Sequence, residues 1–244
     1  MGHAIVSGGA MATVPEAGIL ASDIAVGSSV YLMENGVAVE YLVVNQGIPS
    51  GSSLYDASCD GTWLLRKDCI EARAWDADNS NVLETSDIHT WLNADMLAKY
   101  DSITQNAIKR VKVPYCPEGG INGYVVSGKA GLPCKVFMLS GYEVGFTTSD
   151  SSSFPVDGAK LDYFESGAGT SACNKRIAYL NGASVRWWTR SPLINVDSIY
   201  IWYVEKDGSM DTIDSKYNRG VRPALILPTN ASFGKNTLIL KGVA

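Results

Sequence analysis

Acid–base or nucleophilic chemistry needs a side chain that can exchange a proton or attack near neutral pH, and this chain offers few. Its two histidines are His3, near the N-terminus, and His89, inside a predicted helix. No G-x-S-x-G elbow, H-E-x-x-H pair or phosphate-binding P-loop occurs. Paired carboxylates can replace histidine in general acid–base work, and Glu143 with Asp157 or Asp162 is the combination to consider. Nothing in their spacing singles them out, and surface or structural carboxylates are the plainer reading. The five cysteines, Cys59, Cys69, Cys116, Cys134 and Cys173, are an odd number with no C-x-x-C pair and no nearby histidine for zinc. They read as small buried or free thiols of a protein made in a reducing cytoplasm. The expectation is a non-enzyme with no catalytic residue, no cofactor and no metal.

With 244 residues, 46% hydrophobic and 18% charged, the chain has material for a large core without a metal or disulfide framework. A net charge of −5 argues against a nucleic-acid partner, which would require a Lys/Arg-rich face. The one basic cluster, Lys109-Arg110-Val111-Lys112, reads as the solvated C-terminal turn of a helix, where cations complement the dipole. No apolar run approaches the roughly 20 residues of a membrane span. Residues 1–21 open on MGHAIVSGGAMA, which lacks the basic flank and apolar centre of a signal peptide. They read as a leader in which a first strand is possible, followed by a single domain over 22–244.

Short apolar runs between Gly, Ser, Asn and Asp predict an α+β fold of small antiparallel sheets with two helices. Val30–Met33 and Val37–Val44 flank Asn35-Gly36, a strong hairpin signal. Gly61–Arg66 reads as a strand. Ile88, Trp91, Leu92, Met96 and Leu97 line one face of a helix starting near Thr85 or Ser86. Ser102 and Gln105 have capping-box spacing for a second helix, with Ile103, Ala107, Ile108 and Val111 as its buried stripe and Pro114 ending the run. Tyr115–Pro133 is loop-like and Lys135–Leu139 a short strand. Strand signals return at Ser184–Arg190, Ile199–Val204, Ser209–Ile213 and Val221–Leu227, with a turn at Lys206-Asp207-Gly208.

Arg190 and Arg222 sit inside apolar strands, where an unpaired guanidinium is costly. Internal pairing with carboxylates or carbonyls, Glu143 among them, is the favoured role, and ligand binding the alternative. Trp187 and Trp188 are adjacent, so a strand sends their rings to opposite faces. Core packing is the first expectation for both, ligand stacking the second.

Several strings occur in a telling order: Trp91-Leu92-Asn93, Phe137-Met138-Leu139-Ser140-Gly141-Tyr142-Glu143, Arg176-Ile177-Ala178-Tyr179-Leu180, Trp187-Trp188-Thr189-Arg190-Ser191-Pro192, and Gly220-Val221-Arg222-Pro223-Ala224-Leu225. Over about residues 22–228 the pattern resembles a domain of unknown function common in gut Firmicutes and their phages. It also resembles the variable proteins diversified by diversity-generating retroelements. The resemblance implies a C-type-lectin-like fold, close to the formylglycine-generating-enzyme branch and to the receptor-binding tip protein of a Bordetella phage. It implies a ligand-binding protein of a phage tail or bacterial surface whose partner is a protein or glycan on a bacterial surface, with a homo-oligomer possible if it is part of a tail fibre. The alternatives are an enzyme of the formylglycine-generating lineage and a calcium-dependent lectin. That enzyme branch needs cysteine chemistry near its C-terminus, and here no cysteine follows Cys173. No tight Asp/Glu/Asn cluster marks a calcium site.

Between the last two strings, over about 187–227, polar, aromatic and aliphatic residues mix more than in an ordinary loop. A hairpin with a decorated edge is the bland reading. The resemblance adds a sharper one, because adenine randomisation of AAC-type codons reaches Leu, Asn, Asp, Ser, Ile and Tyr but not Trp, Lys, Glu or Met. On that logic Leu193, Asn195, Asp197, Ser198, Tyr200, Asp211, Ile213, Asp214 and Tyr217 form a variable, ligand-binding face. Trp187, Trp188, Arg190, Trp202, Gly220 and Arg222 are scaffold, as are Glu205, Lys206, Met210 and Lys216. Tyr200 and Tyr217 are the expected anchors, since tyrosine buries a large area with few rotors.

Overall fold

The computed structural model describes residues 18–50, 53–120, 125–194 and 199–243. It begins with β1 (Gly18–Leu20) and the hairpin β2 (Ser29–Glu34) and β3 (Val37–Gln46). Asn35 and Gly36 turn that hairpin with φ of 48° and 80°, the paired positive angles that match the right-handed twist of the strands. β4 (Thr62–Arg66) and β5 (Glu71–Ala74) follow. Ser86 caps α1 (Asp87–Trp91) by accepting from the His89 amide at 3.2 Å. The helix continues through a π-helical turn (Leu92–Met96) into α2 (Leu97–Lys99).

The next segment departs from expectation. The cap of α3 (Ser102–Ala107) is Asp101, whose carboxylate accepts from the Thr104 amide at 2.8 Å. Starting one residue earlier turns Thr104 and Ala107 inward and leaves Ile103 43% exposed. Lys109–Lys112 is no helical turn, because α3 stops at Ala107 and β6 (Val111–Val113) is extended and paired with β7 (Leu132–Cys134). Val111 and Val113 are buried and Lys112 exposed, the alternation of a strand.

After β8 (Val136–Phe137), α4 (Thr170–Arg176) makes a third helical stretch where two helices were expected. The remaining strands are β9 (Ala178–Leu180), β10 (Ala183–Val185), β11 (Trp187–Pro192), β12 (Tyr200–Val204), β13 (Met210–Asp214), β14 (Asn218–Val221), β15 (Ala224–Leu227), β16 (Ala231–Gly234) and β17 (Leu240–Val243). Two five-stranded sheets carry the core, ordered β2-β3-β4-β15-β8 and β13-β12-β11-β14-β5. A three-stranded sheet β1-β16-β17 and the pairs β6–β7 and β9–β10 complete an α+β architecture of mostly antiparallel sheets. The pairing of β11 with β14 is parallel.

Two single-strand expectations resolve into strands of different sheets. Val221–Leu227 is broken by Arg222-Pro223, where the chain leaves the second sheet for the first, and Ser184–Arg190 divides between β10 and β11. The domain also starts earlier than residue 22: Gly18–Leu20 pairs with Ser232–Gly234 and Ala21 is fully buried. Residues 1–17 of the expected leader lie outside the described residues. Among the described residues no helix is long and apolar enough to cross a membrane.

Candidate functional site

β11, β12 and β13 place the C-terminal segment, and β11 is anchored from both of its faces. Trp187 and Trp188 are both fully buried. The Trp187 indole donates to the Arg176 carbonyl at 2.9 Å on one side, and the Trp188 indole donates to the Arg73 carbonyl at 3.0 Å on the other. Trp188 also meets Tyr203 edge-on, with ring centroids 6.2 Å apart. Gly220 lies against β11, where a Cβ would come within 2.6 Å of the Cys69 Sγ and 3.0 Å of the Arg186 carbonyl. Only glycine lets β14 approach so closely.

Beneath β11 is a buried polar network. The Arg190 guanidinium pairs with both oxygens of Glu143 at 2.6 and 2.7 Å, as expected of an internal arginine. Its other three donations go to the carbonyls of Pro114, Met138 and Asp157 at 2.9, 3.0 and 3.1 Å, so all five of its N–H groups are used. Glu143 also accepts from Tyr55 Oη and from the Ser140 amide. Asp157 is fully buried and accepts from Ser191 Oγ at 2.8 Å. Burial raises its pKa to about 6 against the lowering effect of Arg190 and the Ser191 hydroxyl. Glu143 and Asp157 therefore meet after all, but around an arginine and away from solvent, which suits a structural role.

Two further arginines hold the hairpin's surroundings. Arg222 donates from Nε to the Arg66 carbonyl at 2.9 Å, with its guanidinium 5.1 Å from the Trp187 ring centroid. Arg176, for which no role was expected, is fully buried and donates to the carbonyls of Val144, Glu165, Gly167 and, in the β12–β13 turn, Gly208.

The candidate variable residues fall as follows. Asn195, Asp197 and Ser198 lie outside the described residues. Asp211 and Tyr217 are exposed, and Leu193, Tyr200, Ile213 and Asp214 are half-buried. The β12–β13 register pairs Tyr200 with Asp214, Ile201 with Ile213, Trp202 with Thr212 and Tyr203 with Asp211. Directly paired residues share a face and successive ones alternate. Tyr200 and Asp214 therefore stand on the face of Trp202, and Asp211 and Ile213 on the face of Tyr203. A single shared face for the whole set is corrected by the pleat. Ile213, moreover, packs against the core.

The Trp202 face is continued by the loop that follows β8. Trp202, expected only as scaffold, is half-buried; its ring centroid lies 5.1 Å from that of Phe154 and its indole donates to the Ser153 carbonyl at 3.4 Å. Between Phe146, Phe154, Trp202 and Met210 a cleft of about 200 Å³ opens, with Asp150, Ser151 and Ser209 at its rim. Sequence reasoning missed this cleft, although the two phenylalanines in a Gly/Ser/Asp-rich stretch were a signal that the loop packs on something.

All five cysteines are free thiols, four of them buried. Burial pushes Cys59 up to about 11 and Cys69 and Cys134 up to about 12, which leaves them protonated and unreactive near neutrality. Among the described residues no three His, Cys, Asp or Glu side chains are grouped to hold a metal ion.

Fold and site together define an α+β protein of small antiparallel sheets with an accessible hairpin set on a buried tryptophan and arginine base. The family model described as "Domain of unknown function (DUF6273)" matches residues 60–229, and the chain belongs to that family. No curated protein and no solved structure matches the chain.

Proposed function

We propose that this is a non-catalytic ligand-binding protein of a phage tail or bacterial surface, C-type-lectin-like in fold, that recognises a protein or glycan on a bacterial surface. The observation that carries the reading is a contrast in burial. Leu193, Tyr200, Asp211, Ile213, Asp214 and Tyr217 are all accessible to solvent, while Trp187, Trp188, Arg190, Gly220 and Arg222 beneath them are buried. Apart from Ile213, which packs against the core, side chains on such a hairpin can be exchanged at little cost to the core, because exposed substitutions typically change stability by no more than about 0.5 kcal/mol. The contact is proposed for the Trp202 face, which carries Tyr200 and Asp214. Small antiparallel sheets with the main helices ahead of the C-terminal strands support the lectin-like reading.

The test is retention of the labelled protein on intact Gram-positive cells. Joint replacement of Leu193, Tyr200, Asp214 and Tyr217 by serine should abolish or redirect retention while leaving the melting curve in place. Retention that is unaffected by the joint replacement would overturn the reading.

A further inference from the structure

We infer that the outer edge of β13 takes up an extended peptide as an added strand, one apolar side chain of which fills the cleft between Phe146, Phe154, Trp202 and Met210. The inference rests on the ligand-binding reading and names its ligand class.

β13 is an outer strand of its sheet. The Glu205 amide donates to the Ser209 carbonyl at 2.7 Å, and the Ser215 amide to the Ile199 carbonyl at 2.8 Å. Hydrogen-bonded pairs alternate in an antiparallel ladder, so Asp211 and Ile213 turn their backbone groups toward β12. Met210, Thr212 and Asp214 turn theirs outward. The Asp214 carbonyl is taken by the Tyr217 amide at 3.2 Å, whereas the backbone groups of Met210 and the Thr212 carbonyl face outward with no partner strand among the described residues, and such a row is a template for another strand. The Thr212 amide is held for now by the Asp211 carboxylate at 2.7 Å, a bond that an incoming carbonyl replaces.

A strand added about 4.8 Å beyond β13 alternates its side chains between the two faces of the sheet. On the face of Met210 and Trp202 the cleft of about 200 Å³ lies beside that edge. An engineered apolar cavity of about 150 Å³ holds benzene, so one phenyl or branched aliphatic side chain suits this cleft. On this face Asp150 lines the cleft and Asp214 stands on β13, its carboxylate 3.4 Å from the Lys216 amine. The occupant is therefore a peptide with an apolar side chain flanked by lysine or arginine.

The probe is a short fluorescent peptide with a central phenylalanine, lysine two positions away on either side, and valine and threonine elsewhere. Two N-methylated versions block alternate sets of its amides. One version should lose binding by about tenfold or more and the other should keep it, because only one set faces β13. Exchange of its lysines for glutamate should weaken binding. Thr212→Pro, which removes an outward amide that an edge strand can spare, should lower affinity by about tenfold with the melting curve unchanged. Equal loss from both methylated versions, no binding of the parent peptide, or a dimer abolished by Thr212→Pro that marks a second copy of this chain as the occupant would each overturn the inference. Cell retention that persists while the peptide fails to bind would sink the peptide alone and leave the recognition reading standing.

Discussion

The guanidinium of Arg190 and the carboxylate of Glu143 face each other through two hydrogen bonds of 2.6 and 2.7 Å, at 1% and 0% exposure. Breaking such a pair from one side leaves a buried charge uncompensated, at a cost of about 3–5 kcal/mol. Arg190→Leu and Glu143→Gln should each cost that much in urea denaturation. The double variant should lose clearly less than the sum of the two, since neither charge is then stranded. Additive losses would mean that the two side chains do not stabilise one another.

Asp157 gives the network a pH dependence of defined sign. Its folded pKa of about 6 lies above its ordinary value of 3.8 because burial disfavours the carboxylate. Between those values the unfolded chain releases its proton first, so the contribution of Asp157 to stability is full below about pH 4 and declines as pH rises through about 6. Asp157→Asn keeps the acceptor for Ser191 and cannot ionise. Its stability relative to the parent protein should therefore rise by about 2 kcal/mol from pH 4 to pH 7. Melting curves of both proteins across that range provide the measurement, and a constant difference would contradict the assignment.

Gly220 and Cys69 offer a test of the close approach of β14 to β11. Gly220→Ala should cost about 1–3 kcal/mol by overpacking, because its Cβ would sit 2.6 Å from the Cys69 Sγ. Cys69→Ala removes that sulfur and should recover part of the loss when the two changes are combined. Only part returns, since the Arg186 carbonyl remains 3.0 Å away. Denaturation midpoints of the two single variants and the double variant decide it.

What the sequence made legible was local. Asn35-Gly36 announces its turn because the φ angles it needs belong to those two residues, and Arg190 announces a partner because a guanidinium in an apolar strand must have one. Non-local pairing was not legible. Val111–Val113 was hidden among cations because its strand character comes from Leu132–Cys134, about twenty residues on. Tyr55 is 88 residues from Glu143, and Asp157 is 34 from Ser191. The division of the candidate face was readable and overlooked. Asp211 and Ile213 are odd-numbered, Tyr200 and Asp214 even-numbered, and the register of β12 on β13 keeps the two classes on opposite faces.

That division makes recognition separable by face. Tyr200→Ser with Asp214→Ser strips the Trp202 face of a candidate anchor and a charge. Asp211→Ser with Ile213→Thr does the same to the Tyr203 face. Truncating an interface anchor costs about 2 kcal/mol or more of binding, so the first pair should lower retention on intact bacteria at least about tenfold with little change in melting. The second pair should leave retention within about threefold, and it should lower stability by about 1 kcal/mol because Ile213 packs against the core. Retention and thermal melting measured on the same samples separate the two effects. If the second pair abolishes retention and the first spares it, the recognition face is the one around Tyr203, and the cleft beside Trp202 plays no part.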